Sequence, residues 1–375
     1  MTSQRPIRVT VLGLRGFPNI QGGVEKHAEQ LYPRLAALGC QVRVIGRAPF
    51  RSQHHSDRWN QVVFDWLWAP RIRGVEALIH SMVGVLVAAT QRPDVLHIHA
   101  IGPGIVAPIA RLLGMKVVIT HHGKDYERQK WGRLARTVLR MGERFGMRSA
   151  NERIAVSDLI RRSVLDTYGV DSVFIPNGIE RNSSSKDTAV LAQLGLTEGR
   201  YVLQVSRLVP EKRQDDLIAA FLAARLPGWK LAIVGDTEFQ DDYSRSIRAA
   251  SAVYRNVVCT GFRAGDELGQ LYRNAGFFVL PSSHEGLPIA LLEAVSYCLP
   301  VIASDIPANK AIGLREGSYF PLGNVEELAR RIRAIASIPP PMDDLIAVRS
   351  EVCSRYDWDA IARETLSVYR RVAEG

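Results

Sequence analysis

The chain lacks any apolar run long enough to cross a bilayer. Its most hydrophobic stretch, Val75–Ala89, carries Glu76 and His80 and falls short of the roughly 20 residues that a spanning helix needs. It is expected to form a buried helix instead. No leader-like pattern is visible, because Met1–Pro6 is polar and runs directly into a strand. Cysteine is scarce: Cys40, Cys259, Cys298 and Cys353 are scattered, with no CxxC pair. That excludes a disulfide framework and a zinc ribbon, and fits reduced core residues of a cytoplasmic protein. There is no GxGxxG fingerprint, since Gly13 and Gly16 do not stand at that spacing from Gly22. No nucleic-acid motif and no series of interleaved aromatic and basic residues occurs, so nucleic acid is not expected as a partner.

Basic charge, in contrast, is abundant and uneven. The net charge is +10, yet residues 1–180 hold 25 Lys+Arg against 14 Asp+Glu, while residues 181–375 hold 23 against 24. The first half alone therefore attracts an anion: an anionic lipid surface, a diphosphate-bearing substrate or nucleic acid. Apolar residues make up 46%, ordinary for a globular protein, and 375 residues suit two cores better than one.

Apolar strands and amphipathic helices alternate along the chain. Ile7–Gly13, Val42–Ile45, Val62–Trp66, Asp94–His99, Lys116–Thr120 and Arg153–Ala155 are expected strands. Helices are expected at Gly23–Leu38, Val75–Ala89, Pro103–Leu113, Arg133–Arg148 and Asp158–Thr167. Repeated β-α steps imply a doubly wound parallel sheet. Val173–Gly178 and the serine-rich Asn182–Asp187 then read as a linker. The alternation restarts at Tyr201–Ser206 and continues through strands Lys230–Val234, Val257–Cys259, Gly276–Leu280 and Val301–Ala303, and Trp358–Ala373 is a closing helix. The fold class is α/β, with two Rossmann-like halves: 1–178, 179–357, and the helix 358–375.

The most informative segment is Pro281–Ser304, where Glu285 and Glu293 have seven residues between them. A strand precedes it, and Leu287–Tyr297 reads as a helix with Pro288 in its first turn, placing Glu293 about two turns along. In open α/β sheets ligands bind at the carboxyl ends of strands. A carboxylate beside a helix start suits a sugar nucleotide, with N–H groups toward phosphate and the carboxylate toward hydroxyls.

This segment resembles the E-x7-E motif of retaining glycosyltransferases of family 4, which have the GT-B fold of two Rossmann-like domains facing a central cleft. Ser206–Lys212 resembles that family's S/G-R-L-x-x-x-K signature. The resemblance implies that Arg207 and Lys212 bind the donor diphosphate, Arg as a planar fork and Lys as a point charge, and that they stabilise the leaving nucleotide. It assigns Glu285 to sugar hydroxyls and Glu293 to the ribose. The main-chain N–H groups of Gly286 and Leu287 are left for sugar or phosphate. Pro288, where many members have glycine, removes one donor. Val234–Asp236 and Cys259–Arg263 resemble two further strand-end signatures, which puts Phe262 and Arg263 against the base; a core Phe and a solvated Arg are the alternative.

In the first half, the loop from Gly13 ends in Gly22-Gly23 before a helix. It resembles the family's glycine-rich loop at the diphosphate and acceptor. Thr120–Asp125 contains the His-Gly pair in which His122, or His121 in the other register, approaches the donor sugar. His122, Glu285, Arg207 and Lys212 are thus the implied catalytic set. No third ligand at suitable spacing accompanies the His pair and Asp125, so no metal is expected, and His97 and His99 read as structural residues of a buried strand. RGFPNIQGGVEKH and the Tyr126–Gly132 stretch resemble a bacterial subgroup that assembles polysaccharides, including rhamnosyltransferase-like members.

Arg133, Arg136, Arg140, Arg144 and Arg148 share one helical face, with Leu134, Val138, Leu139, Met141 and Phe145 on other faces. This is either a solvated face or, with Arg136, Arg140 and Arg144 at its centre, a contact for anionic membrane or a lipid-diphosphate acceptor. The expected protein is a cytoplasmic transferase, peripheral on the inner membrane face. It uses a UDP-, GDP- or dTDP-sugar and a glycan or lipid-linked acceptor, and needs no cofactor. Two other classes compete: a sugar-nucleotide 2-epimerase on the same fold, revealed by donor isomerisation without acceptor, and a non-enzymatic nucleic-acid binder.

Overall fold

The computed structural model describes residues 5–51, 57–70, 72, 75–127, 132–179, 187–237 and 240–375. Asn182–Lys186 of the serine-rich stretch and Arg128–Trp131 of the Tyr126–Gly132 stretch lie outside them. The chain forms two compact units, Met1–Gly178 with Trp358–Gly375, and Ile179–Asp357.

In the first unit the strands are β1 (Arg8–Leu12), β2 (Gln41–Arg47), β3 (Arg58–Trp59), β4 (Val62–Leu67), β5 (Val95–His99), β6 (Val117–His121), β7 (Glu152–Ala155) and β8 (Val173–Phe174). Their order is β3-β4-β2-β1-β5-β6-β7-β8, parallel throughout except for β3 against β4. The central strands β1, β5 and β6 are buried along almost their whole length because helices cover both faces. The chain winds outward from β1 through β2 to β4, then crosses back to β5. The winding therefore reverses between β1 and β5, and a crevice opens at their carboxyl ends.

The second unit holds β9 (Tyr201–Val205), β10 (Lys230–Val234), β11 (Val257–Gly261), β12 (Phe277–Leu280), β13 (Val301–Ser304) and β14 (Tyr319–Phe320). They form an all-parallel sheet of order β11-β10-β9-β12-β13-β14. Here the reversal falls between β9 and β12.

The helix Trp358–Glu374 belongs to the first unit. Trp358, Ile361, Ala362, Leu366, Tyr369 and Val372 join the core built on Val9, Val11, Leu31 and Tyr32. Gly178 lies against the Trp358 ring, where a Cβ would approach to 2.6 Å, so only glycine fits this crossing. Val173–Gly178 is therefore not a linker. Val173–Phe174 is an edge strand, and Ile175 and Asn177 are buried. Among the described residues no helix is long and apolar enough to cross a membrane.

Candidate functional site

In the second unit, the residues expected around a donor converge on the β9/β12 reversal. After β9, Ser206 and Arg207 turn outward. Gln214 fixes this turn by donating from Nε2 to the Ser206 hydroxyl at 2.9 Å and to the Arg207 carbonyl at 2.8 Å. A single 3₁₀ turn, Pro210–Lys212, follows. It is tied to the loop after β12 by the Ser283 N–H, which donates to the Glu211 carbonyl at 2.9 Å. That tie brings Lys212 Nζ to Glu285 Oε1 at 2.5 Å, with both side chains mostly buried. Two residues 73 positions apart thus share one end of the sheet because β9 and β12 are neighbours.

The following helix spans Ile289–Ser296 rather than Leu287–Tyr297. Pro288 is its cap, with ψ 84 outside the helical range, so Glu293 stands about one turn in rather than two. Tyr272 donates its hydroxyl to Glu293 Oε2 at 3.0 Å and stacks on Tyr297, with centroids 5.4 Å apart. Burial, and then the Glu293 charge, hold the Tyr272 phenol well above its usual range. The phenol therefore stays a donor and orients the carboxylate. Sequence reasoning missed Tyr272; an aromatic on the preceding helix is too common a signal to single out.

Leu287 is buried, so only its main chain is available. Phe262 is exposed, so it is not a core residue, and Arg263 donates to Glu267 at 3.1 Å.

In the first unit, Gly22 has φ +154, and a Cβ there would lie 2.1 Å from Glu25 Oε2 and 2.5 Å from Arg15 Nη2. A buried bidentate ion pair, Arg15 to Glu25 at 2.9 and 3.0 Å, explains the glycine. Burial is the largest single influence and works to raise the Glu25 carboxyl, but the Arg15 charge and hydrogen bond, joined by a main-chain hydrogen bond and the Arg47 charge, together outweigh it and the net shift is downward. Gly23 opens the helix Gly23–Ala37.

The histidines separate clearly. His121 is buried. Its Nε2 lies 2.9 Å from Glu143, and its Nδ1 accepts from the Gly123 N–H at 3.1 Å. Both ring nitrogens are engaged internally. His122 turns the other way and is partly exposed. Its Nε2 meets His99 Nδ1 at 2.9 Å, and its ring lies 4.9 Å from that of His27. His27, His99 and His122 each offer a ring nitrogen within 4.8 Å of the others.

Spacing in the sequence offers no third ligand beside the His pair and Asp125, but the fold brings His27 and His99 to His122; His99 is at the same time a buried strand residue bonded to the Tyr32 hydroxyl. Neighbouring strands in register bring His99 beside Thr120, and the helix after Gly22 supplies His27 from across the β1/β5 reversal. Spacing along the chain could not show it, although a histidine one turn into that helix was visible. His97 does read as structural: it bonds the Tyr32 and Tyr369 hydroxyls and Thr120.

The helix Arg133–Ser149 buries only a narrow stripe, Gly142, Glu143, Gly146 and Met147. Gly142 packs on the backbone of Ile101 and Gly102. Arg140, Arg144 and Arg148 are exposed, and Arg136 is part-buried. Leu134, Met141 and Phe145 are exposed as well. The arginines and these apolar side chains thus share the outward side, where separate faces were expected.

Two family models divide the chain. "Glycosyltransferase Family 4" matches residues 21–183, and "Glycosyl transferases group 1" matches residues 188–348. A phosphatidyl-myo-inositol mannosyltransferase of Mycobacterium leprae is 28% identical over 95% of this chain and 94% of that protein. A UDP-Gal:alpha-D-GlcNAc-diphosphoundecaprenol alpha-1,3-galactosyltransferase of Escherichia coli is 27% identical over 70% of each. A sulfoquinovosyl transferase of Arabidopsis thaliana is 26% identical over 72% of this chain, and the match spans 55% of that longer protein. Among solved structures, a sucrose-phosphate synthase from Thermosynechococcus elongatus superposes with a TM-score of 0.83 at 22% identity, covering 98% of this chain and 99% of that one. Anabaena HepE in complex with UDP-glucose gives 0.78 at 20%, covering 96% and 100%.

Proposed function

The chain belongs to glycosyltransferase family 4, with the GT-B fold, and on that premise we propose that it is a retaining transferase of bacterial surface-polysaccharide assembly. It moves a hexose from a UDP-, GDP- or dTDP-sugar to a glycan or lipid-diphosphate acceptor. The observation that carries this reading is the Lys212–Glu285 pair at the β9/β12 reversal, on the same strand-end loop as Arg207. It offers positive charge for a diphosphate and a carboxylate for hydroxyls on one strand-end edge.

Lys212 and Arg207 hold the diphosphate and stabilise its charge as the glycosidic bond breaks. Glu285 and the Gly286 and Leu287 N–H groups position the sugar, Glu293 accepts from the ribose, and Phe262 and Arg263 lie against the base. On the first unit, Gly22, Gly23 and His122 serve the diphosphate and the transferred sugar. The acceptor oxygen bonds to the anomeric carbon on the face that the leaving group vacates. The carbon–phosphate oxygen bond breaks, and the acceptor proton passes to the departing diphosphate. The basic pair supplies the charge, and no metal is required.

A panel of UDP-, GDP- and dTDP-sugars tests this by thermal shift and then by turnover. A protein that no sugar nucleotide stabilises would overturn the reading. Glu293→Ala is expected to weaken donor binding about 10- to 100-fold, the loss of a charged hydrogen bond. Glu293→Gln, which keeps an acceptor for Tyr272, separates the ribose contact from the support; calorimetry showing unaltered nucleotide affinity in both would remove the ribose assignment.

The outward arginines and exposed Leu134, Met141 and Phe145 fit a peripheral attachment to anionic lipid on the inner membrane face. Each basic side chain contributes about 1 kcal/mol there. Replacing Arg136, Arg140 and Arg144 by Gln is therefore expected to lower partitioning to phosphatidylglycerol vesicles on the order of 100-fold, with an unchanged far-UV spectrum. Partitioning that persists at the wild-type level leaves the helix a solvated face.

A further inference from the structure

We propose that His27, His99 and His122 form a binding site for a transition-metal dication of the zinc class. One nitrogen from each ring lies within 4.8 Å of the other two. A tetrahedral Zn–N length of about 2.0–2.1 Å brings such nitrogens to roughly 3.3–3.4 Å of one another, so closure needs ring shifts of about 1 Å. The rings come from three elements at the β1/β5 reversal. His99 ends β5, His122 follows β6, and His27 lies one turn into the first helix.

The outer shell suits ligation. His27 is 2% exposed, and its Nδ1 meets Asn177 Oδ1 at 2.7 Å. A carbonyl oxygen accepts, so Nδ1 carries the proton and Nε2 holds a lone pair. That Nε2 is buried and has no hydrogen-bond partner among the described residues, an arrangement that costs free energy unless something occupies it. His99 Nε2 faces the Tyr32 hydroxyl, leaving Nδ1 toward His122. An imidazole whose second nitrogen is fixed by an oxygen partner is the recurrent form of a metal-ligating histidine.

Burial, first, and neighbouring imidazoles hold His99 and His122 well below their usual range, and burial alone holds His27 at about 4. All three rings are neutral at neutral pH, the form that ligates. The proton between His99 Nδ1 and His122 Nε2 moves to the other nitrogen of its own ring when a metal arrives, so no proton is released overall. Three imidazoles favour Zn2+, Cu2+, Ni2+ or Co2+ over Mg2+ or Ca2+. His122 is the partly exposed member and leaves a fourth position open.

A consequence rests on the proposed function. The ion takes the imidazole assigned to the transferred sugar, so occupancy inhibits transfer while the metal-free enzyme works.

Untagged protein, stripped with chelator, is titrated with Co2+ and its visible absorption recorded; Zn2+ is then added. The expected result is one Co2+ per chain with the intense bands of a tetrahedral site, displaced by Zn2+. Asn177→Ala is expected to weaken the site about 10- to 100-fold by releasing His27. His122→Asn, at the least buried position, is expected to abolish the tetrahedral spectrum while its melting temperature shows a folded chain. Absence of a tetrahedral spectrum in the wild type overturns the site. So does binding that survives His122→Asn but is lost when His54 and His55 are replaced. Zn2+ binding without loss of turnover overturns the inhibitory role and the His122 assignment, and leaves the site itself standing.

Discussion

Lys212→Ala is expected to lower turnover on the order of 10²–10³-fold, the effect of removing one preorganised group aimed at developing charge. The reason lies in what that ammonium faces. It pairs with Glu285 at 2.5 Å, with 16% of its side chain exposed. Its charge is therefore already largely desolvated, and a diphosphate that displaces the Glu285 carboxylate meets it at a low local dielectric. As the glycosidic bond breaks, negative charge accumulates on the bridging and terminal phosphate oxygens. The interaction with Lys212 is then stronger in the transition state than in the bound donor, so kcat falls more than donor affinity. Lys212→Arg keeps the charge but replaces a compact ammonium with a planar fork in a site shaped by the Ser283–Glu211 tie, and only partial recovery is expected. Steady-state kinetics with a calorimetric donor affinity check this. A Lys212→Ala enzyme with near-normal kcat places the diphosphate elsewhere.

How much of this site is legible in the sequence depends on how far apart its members stand. Arg207 and Lys212 lie five residues apart after one strand, and Glu285 and Glu293 flank one loop, so a linear pattern holds each pair. That both pairs lie at the carboxyl edge also follows from the sequence, because β-α alternation dictates a parallel sheet whose strand ends share an edge, but their meeting rests on β9 and β12 being neighbours. What alternation does not dictate is strand order. His27, His99 and His122 belong to three separate elements and meet only because the winding reverses between β1 and β5. Helix starts are likewise poorly written where proline intervenes. Pro288 satisfies a first-turn position and a cap equally well, and its ψ of 84 decides for the cap. The VFIPNG stretch misleads for a related reason. Proline, asparagine and glycine mark a turn, but here the turn is buried under Trp358 from the far end of the chain.

The buried imidazoles also fix how the protein responds to acid. Stability is expected to fall steeply between about pH 6.5 and 4.5, before the carboxylates titrate. Burial holds His27 at about 4 and His97 at about 3, and His99 well below its usual value, against roughly 6.5 in an unfolded chain. Above pH 6.5 these groups are neutral in both states and contribute nothing to the slope. Below it the unfolded chain takes up protons that the folded chain refuses, so each group removes about 1.4 kcal/mol per pH unit until its own folded value is reached. For His27 and His97 together, two pH units amount to on the order of 5 kcal/mol, a large part of the stability of a typical domain, and His80, His99 and His122 add to it in the same sense. Glu25 works in a different window. Its folded value lies below the ordinary carboxylate range, so its contribution persists above about pH 4.5 and is lost only below it. Because all five histidines and the partners Tyr32, Thr120 and Tyr369 lie in the first unit, hydrogen exchange is expected to show the loss there first, with the sheet β9–β14 still protected at pH 5. Substituting His97 by Gln should flatten the slope by about a fifth even if it lowers stability at pH 7, since one of the five depressed imidazoles, His27, His80, His97, His99 and His122, no longer titrates. Denaturation midpoints that stay level from pH 6.5 to 4.5 would show that the imidazoles are charged, or solvated, in the folded protein.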